Sequence, residues 1–291
     1  MKLKKFSAIA ISCIMAGAIL TGCGDVQSTK DTAETRIGMI SKLNASEESV
    51  NQHLKKLEEA TRRPNMKLSH DYHYYDRMND LIMSLNANQI DEISTYKSVA
   101  NFIVSKNSEL ELLDHTINMI DSFCCAVRKE DAALRDDLNS AIKSMKDDGT
   151  LENLVKTYIT DPKAYEEPVT VEMPQIDGAE TLKVGVTGDL PPMDLILANG
   201  TPAGFNTAVL AEVGKRINKN IELVQIDSNA RAAALTSKKI DIVFWVTIPG
   251  EFWYAEEAGA GVVPKDIDKP VGLDISDPYF EDEIVHVGFK K

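Results

Sequence analysis

Short apolar or alternating runs and longer stretches of helical spacing take turns along most of this chain. Arg36 to Ile40 is an apolar run that predicts a strand, and His70 to Tyr75 alternates as a half-buried strand does. Ile90 to Ser94, Leu110 to Leu113 and Phe123 to Val127 are further strand candidates. Between the first two, Asn44-Ala45-Ser46-Glu47-Glu48 reads as a loop and helix start, capped by Asn44 or Ser46, and Pro64 stops that helix after Arg63. Asp76 is the expected cap of the next helix, which runs through Met78, Leu81, Ile82 and Leu85. Val99 to Val104 is helical in spacing. From Glu130 to Tyr158 the apolar positions Leu134, Leu138, Ile142, Met145, Leu151, Leu154, Val155 and Tyr158 predict a helix, a turn at Asp147-Asp148-Gly149, and a second helix. Thr160 to Gly178 carries Pro162, Pro168 and Pro174 among acids and reads as an extended linker. Strands at Leu182–Val186, Ile221–Ile226, Ile242–Val246 and Ile284–Phe289 follow, with helices at Thr207–Ile217 and Arg231–Ser237. Strands separated by helices predict an α/β fold whose mostly parallel sheets are covered on both faces.

The first residues set the compartment. Lys2, Lys4 and Lys5 precede an apolar or small-residue run from Phe6 to Leu20, the length of a signal-peptide core and too short for a spanning helix. Leu20-Thr21-Gly22-Cys23 ends it and resembles the lipobox of bacterial lipoproteins, in which the cysteine is acylated and the preceding peptide removed. An ordinary secretory signal with an incidental cysteine is the alternative. The resemblance implies residues 1–22 as signal peptide, Cys23 as the lipidation site, and a place on the outer face of the cytoplasmic membrane. Gly24 to Thr35 is polar, so residues 23–35 read as a flexible tether.

Losing residues 1–22 removes three lysines and no acid, taking the formal charge from −13 to −16. An acidic body disfavours nucleic acid and anionic lipid as partners. Cys124 and Cys125 are adjacent, a spacing that strains a disulfide, and read as buried thiols. The five histidines, His53, His70, His73, His115 and His286, are scattered without metal-ligand spacing. No Ser-His-Asp order, phosphate loop or HExxH is present, so no enzyme, cofactor or metal site is expected.

Two stretches resemble the type 2 periplasmic binding proteins that feed polar amino acids to ABC importers. One runs from Leu182-Lys183-Val184-Gly185-Val186 through Gly188-Asp189-Leu190-Pro191-Pro192-Met193, Gly204-Phe205-Asn206 and Lys239-Ile240-Asp241-Ile242-Val243 to Ser276-Asp277-Pro278-Tyr279. That is the order of the family's first lobe. The other, Ile37 to Tyr158, is similar to the second lobe with its return helices, best at Ala126-Val127-Arg128-Lys129-Glu130-Asp131 and Asp147-Asp148-Gly149-Thr150-Leu151. The resemblance implies a two-lobed fold with its lobes in permuted order. Residues 36–126 form a second-lobe-like α/β domain, 127–160 the return helices that pack on the other lobe, 161–180 a linker and 181–291 a first-lobe-like α/β domain. A fragment that completes a neighbour by swapping is the alternative. The permutation leaves a single covalent crossover near Phe123 to Lys129, and the chain stops where the other would begin.

Ligand in such proteins lies between the lobes. Amino-acid binders clamp the α-carboxylate with an arginine after a Thr-rich loop. Here the loop is Trp245-Val246-Thr247-Ile248-Pro249-Gly250-Glu251-Phe252-Trp253 and has no arginine. The family's ammonium-binding aspartate falls on Tyr96, and the aromatic usual before Pro-Pro is Leu190. The implied ligand-binding residues are Asn44, Ser46, Thr95, Tyr96, Asp189, Leu190, Met193, Trp245, Thr247, Glu251 and Trp253. Trp245 and Trp253 read equally as packing residues. Aromatic rings with hydroxyls suit a stackable face, and Glu251 favours a cation, so the solute is polar, amino-acid-like or cationic. The implied protein is a monomeric, lipid-anchored solute-binding component of an ABC importer, partnered by a permease. A sensing or protein-interaction module on the same fold is the second reading. The longer stretch from Gly250 to Ser276 is expected as a surface loop at the cleft mouth.

Overall fold

The computed structural model describes residues 34–41, 47–48, 50–52, 54–55, 70–114, 119–249 and 272–291. The expected signal, Cys23, the caps Asn44 and Ser46, and the candidate residues Glu251 and Trp253 lie outside them. The chain divides into two units, Met1–Thr32 and Ala33–Lys291, and all that follows concerns the second. No helix among the described residues is long and apolar enough to cross a membrane.

The α/β expectation holds, and among the described residues one sheet of ten strands carries the fold. A block of parallel strands stands at each end. One is β1 (Thr35–Ile40), β2 (His70–Tyr75) and β3 (Glu92–Tyr96); the other is β6 (Thr181–Val186), β10 (Asn220–Gln225) and β11 (Ile242–Pro249). Their apolar runs explain the parallel pairing. In β6, Leu182, Val184 and Val186 are buried while Lys183 stays outside, and in β1 Ile37 is wholly buried. Between the blocks run two long antiparallel strands, β5 (Met119–Arg128) and β13 (Phe280–Phe289). Each begins by pairing with the other, Phe280 opposite Phe123 and Ile284 opposite Met119. Each then runs on into one block: β5 against β11 and β12 (Leu273–Ile275), β13 against β3 and β4 (Leu110–Leu113).

This corrects the expectation of a single crossover. The chain does not stop where the second crossover begins. Residues 280–289 form it, and its last residues are bonded to β3 and β4 in the opposite block. Ile284 to Phe289 alone carries the apolar signal, whereas Glu281, Asp282 and Glu283 hide the first half of the strand from a hydrophobic pattern.

Helices cover the sheet. In α1 (Met78–Asn86) the buried Met78, Leu81 and Leu85 recur at helical spacing. In α2 (Lys97–Lys106) Val99, Ala100 and Ile103 do the same. α3 (Ala132–Asp147) and α4 (Thr150–Val155) join through Gly149 at φ +78, as expected for that turn, and α4 continues as a π-helical turn at Lys156–Thr160. The expected cap Asp76 is corrected. Arg77 holds the cap position without a side-chain bond, and the Met78 N–H donates instead to Asp189 Oδ2 at 3.1 Å, 111 residues along the chain. The linker also differs from expectation. It contains a short helix, α5 (Lys163–Glu166), and is docked: the Val171 N–H donates to the Pro202 carbonyl and the Gly204 N–H to the Val169 carbonyl. Cys124 and Cys125 are free and buried in β5, and burial pushes the Cys124 thiol up to about 12.

α6 (Phe205–Arg216) starts from Gly204, whose φ of +100 and ψ of 170 belong to a region that only glycine occupies readily. A Cβ there would stand 2.5 Å from the Met193 carbonyl oxygen and 2.7 Å from that of Pro192. Both are backbone atoms of the Pro-Pro loop and cannot give way cheaply. Gly204→Ala is expected to lower stability by about 2–4 kcal/mol, from backbone strain and overpacking together, read as a fall in the urea midpoint.

Candidate functional site

Seven of the eleven expected ligand residues are described, and all seven are buried: Thr95, Tyr96, Asp189, Leu190, Met193, Trp245 and Thr247. They come from three places. Thr95 and Tyr96 end β3, where the strand turns into α2. Asp189 and Leu190 form β7 (Asp189–Leu190), with Met193 just before β8 (Asp194–Ile196). Trp245 and Thr247 lie in β11, whose edge pairs with β5. Residues of both parallel blocks thus lie beside the crossing strands, β3 paired with β13 and β11 with β5.

The fold brings Tyr96 and Trp245 together across the two blocks. Their rings meet edge to face at 6.1 Å, and Phe123 of β5 completes a triangle with them, 4.7 Å from Tyr96 and 6.2 Å from Trp245. The Tyr96 hydroxyl donates to Asp121 Oδ2 at 2.8 Å, so this phenol is turned toward the crossover. Met193 reaches the same side, where the Ser98 hydroxyl donates to its sulfur at 3.3 Å. Arg231, at the start of α7 (Arg231–Thr236), lies beneath the indole with its guanidinium carbon 5.2 Å from the ring centroid.

Asp189 takes a different role from the one expected. It accepts the Met78 N–H at the first turn of α1, and Arg77 Nε stands 3.6 Å from the same oxygen. Arg77 also lies 4.0 Å from Asp227, and Asn229 donates to Asp76 at 2.7 Å. These contacts tie residues 76–78 to the other half of the chain. A second long-range cap joins them: Asp282 of β13 accepts the Ser98 N–H at 3.0 Å, in the first turn of α2. Below the Pro-Pro loop, fully buried Asp194 accepts from the Thr187 hydroxyl at 2.9 Å and from the Gly188 N–H at 2.5 Å.

Arg77, Ser98, Asp121, Phe123 and Arg231 were not among the expected site residues. Arg231 stands in an alanine-rich helix start, where a lone arginine reads as a solvated side chain. Only the tertiary fold shows it 1% exposed. Phe123 was legible as a strand residue, and its contact with both rings was not. Each expected ligand residue that is described is thus covered by the protein's own side chains.

The sequence profile of the bacterial extracellular solute-binding proteins, family 3, matches residues 59–161 and 182–249. No curated protein matches the chain. Among solved structures, a ligand-binding component of an ABC-type import system from Staphylococcus aureus, with zinc bound, is 11% identical at a TM-score of 0.41 and is aligned over 88% of this chain and 65% of its own. A nutrient-binding protein from Burkholderia cenocepacia bound to methionine is 9% identical at a TM-score of 0.38, covering 88% of this chain and 84% of that one. An ABC-transporter periplasmic substrate-binding protein from Coxiella burnetii gives the same identity, TM-score and coverage.

Burial raises the Asp189 carboxyl above the usual carboxylate range, against the pull of Arg77 and the α1 N–H groups; burial raises Asp194 and Asp282 likewise. The folded chain therefore takes up these protons more readily than the unfolded chain. The ionised groups cost stability at neutral pH, and it returns as pH falls through the raised values toward the ordinary value of about 4. Asp189→Asn is expected to weaken that rise in urea midpoints between neutral and mildly acidic pH, leaving the share due to Asp194 and Asp282. Asp189→Ala strands the α1 donor and is expected to cost about 1–2 kcal/mol at pH 7.

Proposed function

The chain belongs to the bacterial extracellular solute-binding proteins, family 3, and we propose that it is the lipid-anchored capture component of an ABC importer. It would hold a small polar, amino-acid-like or cationic solute between the two parallel-strand blocks and present it to a membrane permease as a monomer. The observation that carries this reading is the meeting of Tyr96 and Trp245, from separate parallel blocks, beside Phe123 of the crossing strand β5. Asn44, Ser46, Glu251 and Trp253 would complete the site. The anchor rests on the lipobox-like Leu20-Thr21-Gly22-Cys23, and the lipid would keep the protein beside its permease.

The order of elements supports a circular permutation. On this reading the residues before 160 correspond to the second lobe and return helices, those after 181 to the first lobe, and the docked stretch between them joins the ancestral ends. β13 then restores by pairing the crossover that opening the chain at the hinge interrupts.

A second reading has its own support. The expected ligand residues are packed against one another, as in a binding fold turned to sensing or to protein contact. A thermal-shift screen against amino acids, polyamines, quaternary amines, small peptides and aromatic metabolites separates the two. A solute at a hundred times its dissociation constant stabilises by about 2.7 kcal/mol, which the capture reading expects for one chemical class. Silence across the panel from a well-folded protein favours sensing or protein contact. For the anchor, Cys23→Ser is expected to abolish incorporation of labelled fatty acid, measured on the membrane fraction of expressing cells, and equal labelling of wild type and variant would refute it.

A further inference from the structure

β11 breaks the alternation of a regular strand at one residue. Val243 and Val246 face a smaller apolar cluster with Ala126, Leu235 and Ile240, while Phe244 and Trp245, neighbours in sequence, both join the larger one. The pairing with β5 steps from Phe244–Cys125 to Val246–Cys124, so Trp245 is the extra residue of a bulge. Its backbone is left-handed, at φ +68. The other non-glycine residues of positive φ among the described ones, Asn88, Asn218 and Lys238, each follow a helix end, where that conformation is ordinary. For a bulky side chain inside a strand it is not. Arg231 braces the bulge by donating from Nη1 to the carbonyls of Phe244 and Trp245, both at 3.2 Å.

The indole set by this bulge is only 8% exposed, yet among the described residues its Nε1–H meets no hydrogen-bond partner. Buried indoles ordinarily find one, because a dry donor has given up its bond to water without replacement. The ring face, by contrast, is well housed. Tyr96 meets it edge-on at an interplanar angle of 86°, Phe123 flanks it, and the Arg231 guanidinium lies against it. These three walls come from β3, β5 and α7. Together they fit a flat aromatic ring, while the present occupant stays against the preference of its own N–H and backbone.

We infer that Trp245 is a resident plug: the socket of Tyr96, Phe123 and Arg231 is the seat of a flat aromatic solute, and the indole fills it until such a solute arrives. Release returns the N–H to water and lets the bulge relax, which favours exchange over permanent burial. The inference rests on the cleft being a solute site and adds the class of solute.

Hydrogen exchange and indole binding on the full-length chain test this. With Trp253→Phe, Trp245 is the one remaining tryptophan of two, and its indole N–H gives a single resonance. A plug opens without global unfolding, so that N–H is expected to exchange at least tenfold faster than the amides of Phe123 to Val127 in β5. Trp245→Gly, which suits the left-handed backbone, is expected to bind added indole about tenfold more tightly than wild type. Exchange of the indole N–H at the rate of the β5 amides makes Trp245 a permanent core residue and overturns the inference, whether or not indole fills the variant. Neither exchange rate depends on knowing the natural solute. The plug can therefore stand when a solute screen is silent, and fall when one succeeds.

Discussion

Strands β5 and β13 pair from Phe123 opposite Phe280 to Met119 opposite Ile284, and the rest of the fold hangs on that short antiparallel ladder. Each parallel block buries its own apolar runs, and among the described residues the strands of one block are joined to those of the other by hydrogen-bonded pairing only through these two. β5 brings β11 and β12 to one side of the ladder and β13 brings β3 and β4 to the other. The ladder also sets where side chains from the two halves can meet, because Phe123 projects from it against both Tyr96 and Trp245. Antiparallel pairs of this kind tolerate twisting, which suits a hinge.

Long-range capping is the second device that binds the halves. The α1 and α2 helices each begin with unsatisfied backbone donors, and neither uses a side chain from its own first turn. Asp189 serves one and Asp282 the other, from loops and strands more than a hundred residues away in sequence. A carboxylate at a helix N-terminus meets both the free N–H groups and the positive end of the helix dipole. Burial raises both carboxyls, so these links are made by groups under electrostatic tension, and their strength depends on pH.

The proposed solute site lies at the boundary between the blocks. In a solute-binding fold the cleft residues must be polar enough to orient a solute and apolar enough to exclude water. Here such groups bond within the chain itself: Tyr96 to Asp121, Ser98 to Met193, and Arg231 to the bulge carbonyls. A solute entering this cleft competes with internal contacts, so selectivity would depend on matching a ring already in place.

Much of this was legible in the sequence alone. Periodicity marked β2 and β4 at their full lengths, the paired helices at Ala132–Asp147 and Thr150–Val155, and the Gly149 turn, because each is decided by local spacing of apolar residues. The ordered motifs from Leu182 to Tyr279 pointed to the family, which the matched profile then established. Asp282, Glu281 and Glu283 concealed the first half of β13, since a strand whose polar residues cap a helix and pair with lysine carries no hydrophobic rhythm. Asp76 looked like a cap because caps are usually local, whereas the acceptor came from Asp189. The bulge at Trp245 and the burial of Arg231 depend on which strands become neighbours, and no run of residues encodes that by itself. Local spacing determined the elements. Only the packing of distant segments against β5 and β13 decided which side chains share the cleft, because burial and partner choice are properties of the assembled fold.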